Sequence, residues 1–325
     1  MSLLQTPQKP AKTRRRLAFG PVLLGVAGNP VVRATVTKSS LSRPVVRRFV
    51  PGTDADAAVR AAADLNGAGL RLTLDRLGED ITDPREATAT VAGYREVLQR
   101  LADAGLTEGN EISVKLSALG QSLGTDGPAL ATHNAAELAA AAAGVGVDMT
   151  LDMEDHTTVD ATLETLRALR ADFPRTGAVL QSMLFRTEAD ARDLSGPGSR
   201  IRLVKGAYAE PASVAHAAKA DVDRAYARCL EILVGGQGYP MIATHDQRMI
   251  DLAEELLRRH ARSAEDAEFQ MLYGIRTTEQ QRLAQAGHRV RVYVPYGTDW
   301  YGYFSRRLAE RPANLLFFAR SLFSR

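Results

Sequence analysis

From residue 70 onward the chain alternates between two hydrophobic rhythms. Short runs rich in β-branched and other apolar side chains recur at residues 70–75, 111–117, 148–153, 178–184, 200–207, 241–245, 268–272 and 290–296. Such runs predict strands. Between them lie stretches with apolar positions three and four apart, at 84–104, 133–143, 157–171, 187–193, 211–234, 247–262 and 277–286. That is the period of a helix with one buried face. An alanine-rich segment, 53–68, opens on Thr53-Asp54 and predicts a capped helix ahead of the first strand. Residues 300–310 and 314–322 predict two more after the last. Eight strands alternating with helices are the pattern of a parallel (β/α)8 barrel. An open doubly wound sheet would carry Gly-x-Gly-x-x-Gly behind its first strand, and none is present. Gly235-Gly236-Gln237-Gly238 has the wrong spacing and precedes a strand.

The sequence before residue 53 reads differently. Residues 1–48 hold ten Lys or Arg and no Asp or Glu, which leaves 31 basic against 38 acidic residues in the remainder, a net charge of −7. A basic arm on an acidic body suits an anionic membrane surface or nucleic acid, or it simply pairs with the body. Residues 1–16 predict a disordered basic tail, and 17–48 short basic helices. Residues 17–325 are then expected to form a single barrel domain that includes N-terminal helices over 17–68. Residues 14–28 mimic a secretory signal, but Pro21, the glycines and the shortness of the apolar run make a poor span. At 325 residues, 45% hydrophobic and 24% charged, the chain fits one large or two modest globular domains. One cysteine, Cys229, excludes an internal disulfide and reads as packing on a helix.

Candidate chemistry sits where the strands finish, as barrels of this class require. The fifth strand runs Arg200-Ile201-Arg202-Leu203-Val204-Lys205-Gly206-Ala207-Tyr208. A buried strand would be apolar where Arg202 and Lys205 stand, so both cations need anions or an aqueous mouth. Gly206 permits close approach to the backbone. Other strand ends supply Asp75 and Glu79, then Lys115, Asp152 with Met153 and Glu154, Gln181, Thr244-His245-Asp246, Gln270 with Leu272, and Tyr293. This inventory suits a polyanionic cofactor beside a carboxylate substrate. A metal centre is disfavoured, because adjacent residues in Asp152-Met153-Glu154-Asp155-His156 point to opposite faces of a strand, and no His-x-His or His-Glu-x-x-His occurs. In the final segment Tyr303 and Arg307 share a helix face, as do Arg306 and Glu310. An arginine pair can grip a carboxylate in bidentate fashion, or it can be an ordinary solvated surface.

Six segments in one order carry a resemblance: 112–119 (Ile-Ser-Val-Lys-Leu-Ser-Ala-Leu), 203–208 (Leu-Val-Lys-Gly-Ala-Tyr), 243–245 (Ala-Thr-His), 269–274 (Phe-Gln-Met-Leu-Tyr-Gly), 292–297 (Val-Tyr-Val-Pro-Tyr-Gly) and 303–314 (Tyr-Phe-Ser-Arg-Arg-Leu-Ala-Glu-Arg-Pro-Ala-Asn). Together they resemble proline dehydrogenase in its monofunctional bacterial form, from about Arg47 to the C-terminus. The resemblance implies a distorted (β/α)8 barrel with a C-terminal helix over its mouth and non-covalent FAD across the strand ends. It implies oxidation of L-proline to Δ1-pyrroline-5-carboxylate by hydride transfer from C5 to flavin N5. Carried over by motif, Arg202 lies near flavin N5, Gln181 bonds the ring edge and Met153 packs nearby. Val204, Lys205 and Gly206 serve the flavin and its phosphate arm, and Ala243, Thr244 and His245 line the ribityl and pyrophosphate. Lys115, Arg306 and Arg307 grip the proline carboxylate. Leu272, Tyr293 and Tyr303 wall the ring, Asp152 orients the cluster, and Glu79 pairs with Arg306 as a gate. Ala209 departs from the family, whose members often carry a larger residue there.

The implied partners are a quinone acceptor, a separate pyrroline-5-carboxylate dehydrogenase and, through the basic segment, peripheral contact with the inner membrane of a cytoplasmic enzyme. Nucleic acid is not among them. Two alternatives stay open: another flavin barrel of the methylenetetrahydrofolate reductase kind, which would not need the arginine pair, and a non-enzymatic barrel binding nucleic acid through its basic arm, which would be colourless.

Overall fold

The computed structural model describes residues 46–310. The expected helices within 17–45 and over 314–322, and the expected tail at 1–16, lie outside the described residues. The elements run α1 (Ala55–Gly67), β1 (Arg71–Arg76), α2 (Pro84–Asp103), β2 (Glu111–Val114), α3 (Gly127–Gly144), β3 (Asp148–Leu151), α4 (Val159–Arg170), β4 (Gly177–Gln181), α5 (Thr187–Asp193), β5 (Arg200–Val204), α6 (Lys219–Gly235), β6 (Tyr239–Ala243), α7 (Gln247–Arg259), β7 (Glu268–Leu272), α8 (Thr277–Gln285), β8 (Val290–Tyr296) and α9 (Trp300–Glu310). Each strand pairs in parallel with the next and β8 with β1, so the sheet closes into an eight-stranded barrel. Residues 44–300 form one compact unit; from Tyr301 on, α9 belongs to another.

Local chemistry explains the helix starts. Asp54 caps α1 by accepting from the Ala57 N–H at 2.8 Å. Asp83 caps α2, with Pro84 just inside, and Asp246 caps α7. Each satisfies an N–H that has no partner within its own helix. Several apolar runs overstate their strands. The second stops at Val114, and Ser117–Leu119 makes a single 3₁₀ turn because the Ser117 N–H is drawn to the Glu154 carboxylate at 3.0 Å. The helix expected from Pro211 begins only at Lys219. The residues before it run beside the loop after β4 instead, with the Phe185 N–H donating to Val214 O at 2.9 Å and the His216 N–H to Met183 O at 2.8 Å. Conversely α3 starts at Gly127, ahead of the expected 133, with Pro128 in its first turn.

The strands have period two, and their two faces differ sharply. Leu72, Leu74, Ile112, Val114, Leu151, Leu203, Phe269, Val292 and Val294 belong to the apolar core shared with the helices. The alternate residues face inward; a few are apolar, such as Val179 and Met241, but most are polar. Glu111 reaches Arg200 at 2.8 Å and Arg202 at 2.7 Å, and Glu268 reaches Arg291 at 2.6 Å. A barrel interior is ordinarily filled by branched apolar side chains. Here four carboxylates (Asp75, Glu111, Asp152, Glu268) are matched by four cations (Lys115, Arg200, Arg202, Arg291). That balance is what makes their burial tolerable, since an unmatched charge among them would cost several kcal/mol.

Candidate active site

The mouth of the barrel is built on Asp152, just past β3. Its Oδ1 accepts from Ser113 Oγ and from Arg202 Nη1, both at 2.7 Å, and its Oδ2 accepts from the Tyr293 hydroxyl at 2.6 Å. Lys115 Nζ stands 3.5 Å from the same carboxylate and donates to Asp75 at 3.0 Å. Burial pushes Asp152 upward, but Lys115, Arg202 and the two hydroxyls outweigh it and hold the carboxyl below its ordinary range. Asp75 goes the other way: burial dominates, Lys115 only partly offsets it, and the nearby Asp152 charge adds to it, so its carboxyl is raised. Burial alone would discharge Lys115; Asp75 and Asp152 reverse this and keep it cationic, well above the ordinary lysine range. Burial, then the charges of Asp152 and Asp75, push the Tyr293 phenol well up, so it stays a donor.

Arg202 is gripped on every edge. Nε donates to Gln270 Oε1 at 2.6 Å, Nη1 to Ser113 Oγ at 2.9 Å as well as to Asp152, and Nη2 to Glu111 Oε1 at 2.7 Å. The Tyr293 ring centroid lies 5.2 Å from its guanidinium carbon. These are four of the bonds its five N–H groups can make, which leaves one Nη2 hydrogen for a ligand. Gln181 is held at one end. Its Nε2 donates to Glu154 O at 2.7 Å, so its amide oxygen has no partner among the described residues. Glu154 itself takes two hydrogen bonds from Ser117, and burial outweighs them to raise its carboxyl.

The structure therefore gathers Asp152, Arg202, Tyr293 and Lys115 into one cluster of hydrogen bonds and ion pairs; Gln181 lies outside it, bonded to the backbone of Glu154, with the buried Met153 between Asp152 and Glu154 in the chain. The anions that a buried Arg202 needs come from within the protein, Glu111 and Asp152, and Asp75 does the same for Lys115. Sequence reasoning missed Glu111 and Ser113, although both lie on β2 in the same parity as Lys115, which directly follows the strand. Reading that alternation would have found them.

The cofactor-binding candidates lie at the ends of β5 and β6. Lys205 donates to Asp223 and Asp246, and Lys219 and Arg248 reach the same two carboxylates. Three cations on two anions leave one positive charge. Gly206, with φ of +103°, sits where an added Cβ would come within 2.4 Å of Met183 Sδ. Val204 and Ala243 are half-buried, while Thr244 is buried and accepts from the Asp246 N–H at 3.1 Å. His245 Nε2 accepts from the Leu272 N–H at 3.0 Å, which places the ring proton on Nδ1 and leaves Leu272 half-buried at the rim. Tyr303, Arg306 and Arg307 lie on α9. As expected for a shared face, the Arg307 guanidinium carbon is 5.2 Å from the Tyr303 ring centroid.

A closed parallel barrel with its titratable groups clustered at the strand ends defines the class, a (β/α)8 barrel enzyme. A family model described as proline dehydrogenase matches residues 58–320. Proline dehydrogenase of Deinococcus radiodurans is 40% identical over 306 residues, 94% of this chain and 97% of that protein. Proline dehydrogenase 1 of Bacillus subtilis is 38% identical, covering 85% of this chain and 90% of its own length. The chain belongs to the proline dehydrogenase family. The crystal structure of proline utilization A from Bdellovibrio bacteriovorus shares the fold, with a TM-score of 0.77 at 23% identity; the match covers 90% of this chain but 35% of that one.

Proposed function

We propose that this member of the proline dehydrogenase family oxidises L-proline to Δ1-pyrroline-5-carboxylate at the barrel mouth with bound FAD. Proline oxidation, the first step of proline catabolism, comes with the family. The observation that carries the site assignment is the cluster of Asp152, Arg202, Tyr293 and Lys115, rigidly paired yet left with an unused donor on Arg202. The open groups fit a flavin. They offer one guanidinium N–H, the Gln181 amide oxygen, which has no partner among the described residues, a glycine backbone at Gly206 and a net positive rim around Lys205.

FAD, when bound, supplies a two-electron hydride acceptor at N5. Arg202 would stabilise negative charge on the reduced ring, and its pairing with Asp152 and Glu111 holds it in place before substrate arrives, so little reorganisation remains at the moment of reaction. Gln181 would accept from the ring-edge N–H, with Met153 packed nearby. Val204, Lys205 and Gly206 would serve the ring and phosphate arm, and Ala243, Thr244 and His245 the ribityl and pyrophosphate. Lys115, Arg306 and Arg307 would grip the proline carboxylate, Leu272, Tyr293 and Tyr303 would wall the pyrrolidine, and Glu79 would close over it with Arg306. Asp152 orients these groups and abstracts no proton in this reading, since its carboxyl is held low by the cations it pairs. The catalytic domain would extend from residue 17 to the C-terminus.

The test is spectroscopic. The purified protein should be yellow, and anaerobic L-proline should bleach it while NADH does not; a colourless protein, or a flavin unmoved by proline, would overturn the reading. Electrons would pass to a quinone, and the product to a separate pyrroline-5-carboxylate dehydrogenase. No described helix is long and apolar enough to cross a membrane. Contact with an anionic bilayer would be peripheral in this reading, through the basic residues before Asp54. Failure to co-sediment with anionic liposomes would remove that part.

A further inference from the structure

We propose that Gln270, deep in β7, is a positioning residue for the hydride transfer, acting through Arg202; this rests on the reading of Arg202 given above. The Gln270 amide lies between two groups of fixed chemistry. Its Oε1 accepts from Arg202 Nε at 2.6 Å, and its Nε2 donates to Glu268 Oε1 at 2.6 Å. A guanidinium can only donate and an ionised carboxylate can only accept, so the amide has one orientation. Glu268 is itself immobile. Both its oxygens are taken by Arg291, at 2.6 and 3.0 Å, and the Tyr239 hydroxyl adds a third bond at 3.0 Å. Arg291 in turn donates to Leu72 O on β1.

The chain Arg291–Glu268–Gln270–Arg202 therefore ties the arginine to strands β1, β7 and β8. Glu111, Ser113 and Asp152 hold only the two Nη atoms, at the far edge of the guanidinium. Among the described residues Gln270 alone bonds Nε, beside the aliphatic stem, and with the Tyr293 ring it fixes the plane of the group. Removing that contact lets the plane turn about the Nη bonds and moves the remaining Nη2 hydrogen off its mark. Gln270 is 3% exposed and neutral, so its replacement by an apolar residue changes the orientation of Arg202 without changing the charge of the site.

The experiment compares wild type, Gln270→Met, the shorter Gln270→Asn and Arg202→Met. It measures flavin content, the midpoint potential of the bound flavin, kcat and KM for proline, and thermal stability. With Gln270→Met, kcat should fall about tenfold to a hundredfold, in the range that sub-ångström to ångström misplacement produces, while KM for proline stays within a few-fold. The reduced flavin should be disfavoured about tenfold, which for two electrons is a potential about 30 mV lower. Gln270→Asn should move both quantities in the same direction by less, and it serves if Gln270→Met does not fold. A lowered melting temperature with unchanged potential and kcat in both Gln270 variants would make the residue structural and overturn the proposal, provided Arg202→Met lowers the potential. If Arg202→Met leaves the potential unmoved, the assignment of Arg202 fails first and the proposal with it.

Discussion

Truncating Asp152 to alanine tests the ionic interior directly. Asp152 faces Arg202 at 2.7 Å and Lys115 at 3.5 Å, with only 11% of its side chain exposed. At an effective dielectric of about 20 these pairs attract by roughly 6 and roughly 5 kcal/mol. Several kcal/mol of desolvation per ion oppose that gain, and breaking such pairs typically costs about 3–5 kcal/mol. Each stranded cation keeps a second anion, Glu111 for Arg202 and Asp75 for Lys115, which places Asp152→Ala near the lower figure, about 3 kcal/mol. With an unfolding entropy of about 2.1 cal/mol/K per residue, that corresponds to a melting temperature lower by about 4 °C. Asp152→Asn retains one acceptor oxygen and should lose less. Urea and thermal denaturation of both variants give the stabilities, and proline turnover with a dye acceptor gives the activity, which should fall in both. A loss below about 1 kcal/mol for Asp152→Ala would refute the view that internal carboxylates neutralise the buried cations.

Other consequences can be measured in parallel. Burial would raise Glu111, but Arg291, Arg202 and Arg200 override it and bring the carboxyl from an ordinary 4.5 to about 2. A depressed carboxyl stabilises the fold fully above its unfolded value, and that stabilisation is lost as pH falls from about 4.5 toward about 2. Acid titration of stability should therefore steepen in that window, and Glu111→Gln should flatten it while lowering stability at pH 7 by about 3 kcal/mol. Gly206→Ala demands a positive φ of an alanine and crowds Met183; it should cost about 1–2 kcal/mol by chemical denaturation and reduce flavin content. Arg307→Met should raise the KM for proline at least tenfold, about 1.4 kcal/mol of carboxylate recognition; an unchanged KM would show the arginine pair to be a surface feature.

Much of this molecule was legible from its pattern. The boundaries of β7 and β8 follow directly from their apolar runs, because strand burial and strand length there coincide. The start of α6 was not legible: residues 211–218 have helical composition, but the Val214 carbonyl and the His216 N–H are claimed by the loop after β4. In the site, Arg202 and Lys205 announced themselves as charges in apolar company, and Lys115 as a cation at a strand end. Glu111 did not, because it opens its run and reads as a solvated end, whereas the closed sheet buries it completely beneath two arginines.

Sequence alone determined the alternation of strand and helix, hence the barrel, and the cations that cluster at its strand ends. Periodicity is a local property, and local residues suffice to state it. What neutralises those cations was decided only by tertiary structure. Ser113 and Arg202 meet across 89 positions of chain and Tyr293 and Asp152 across 141, and no local pattern encodes a pairing that exists only when the sheet closes on itself.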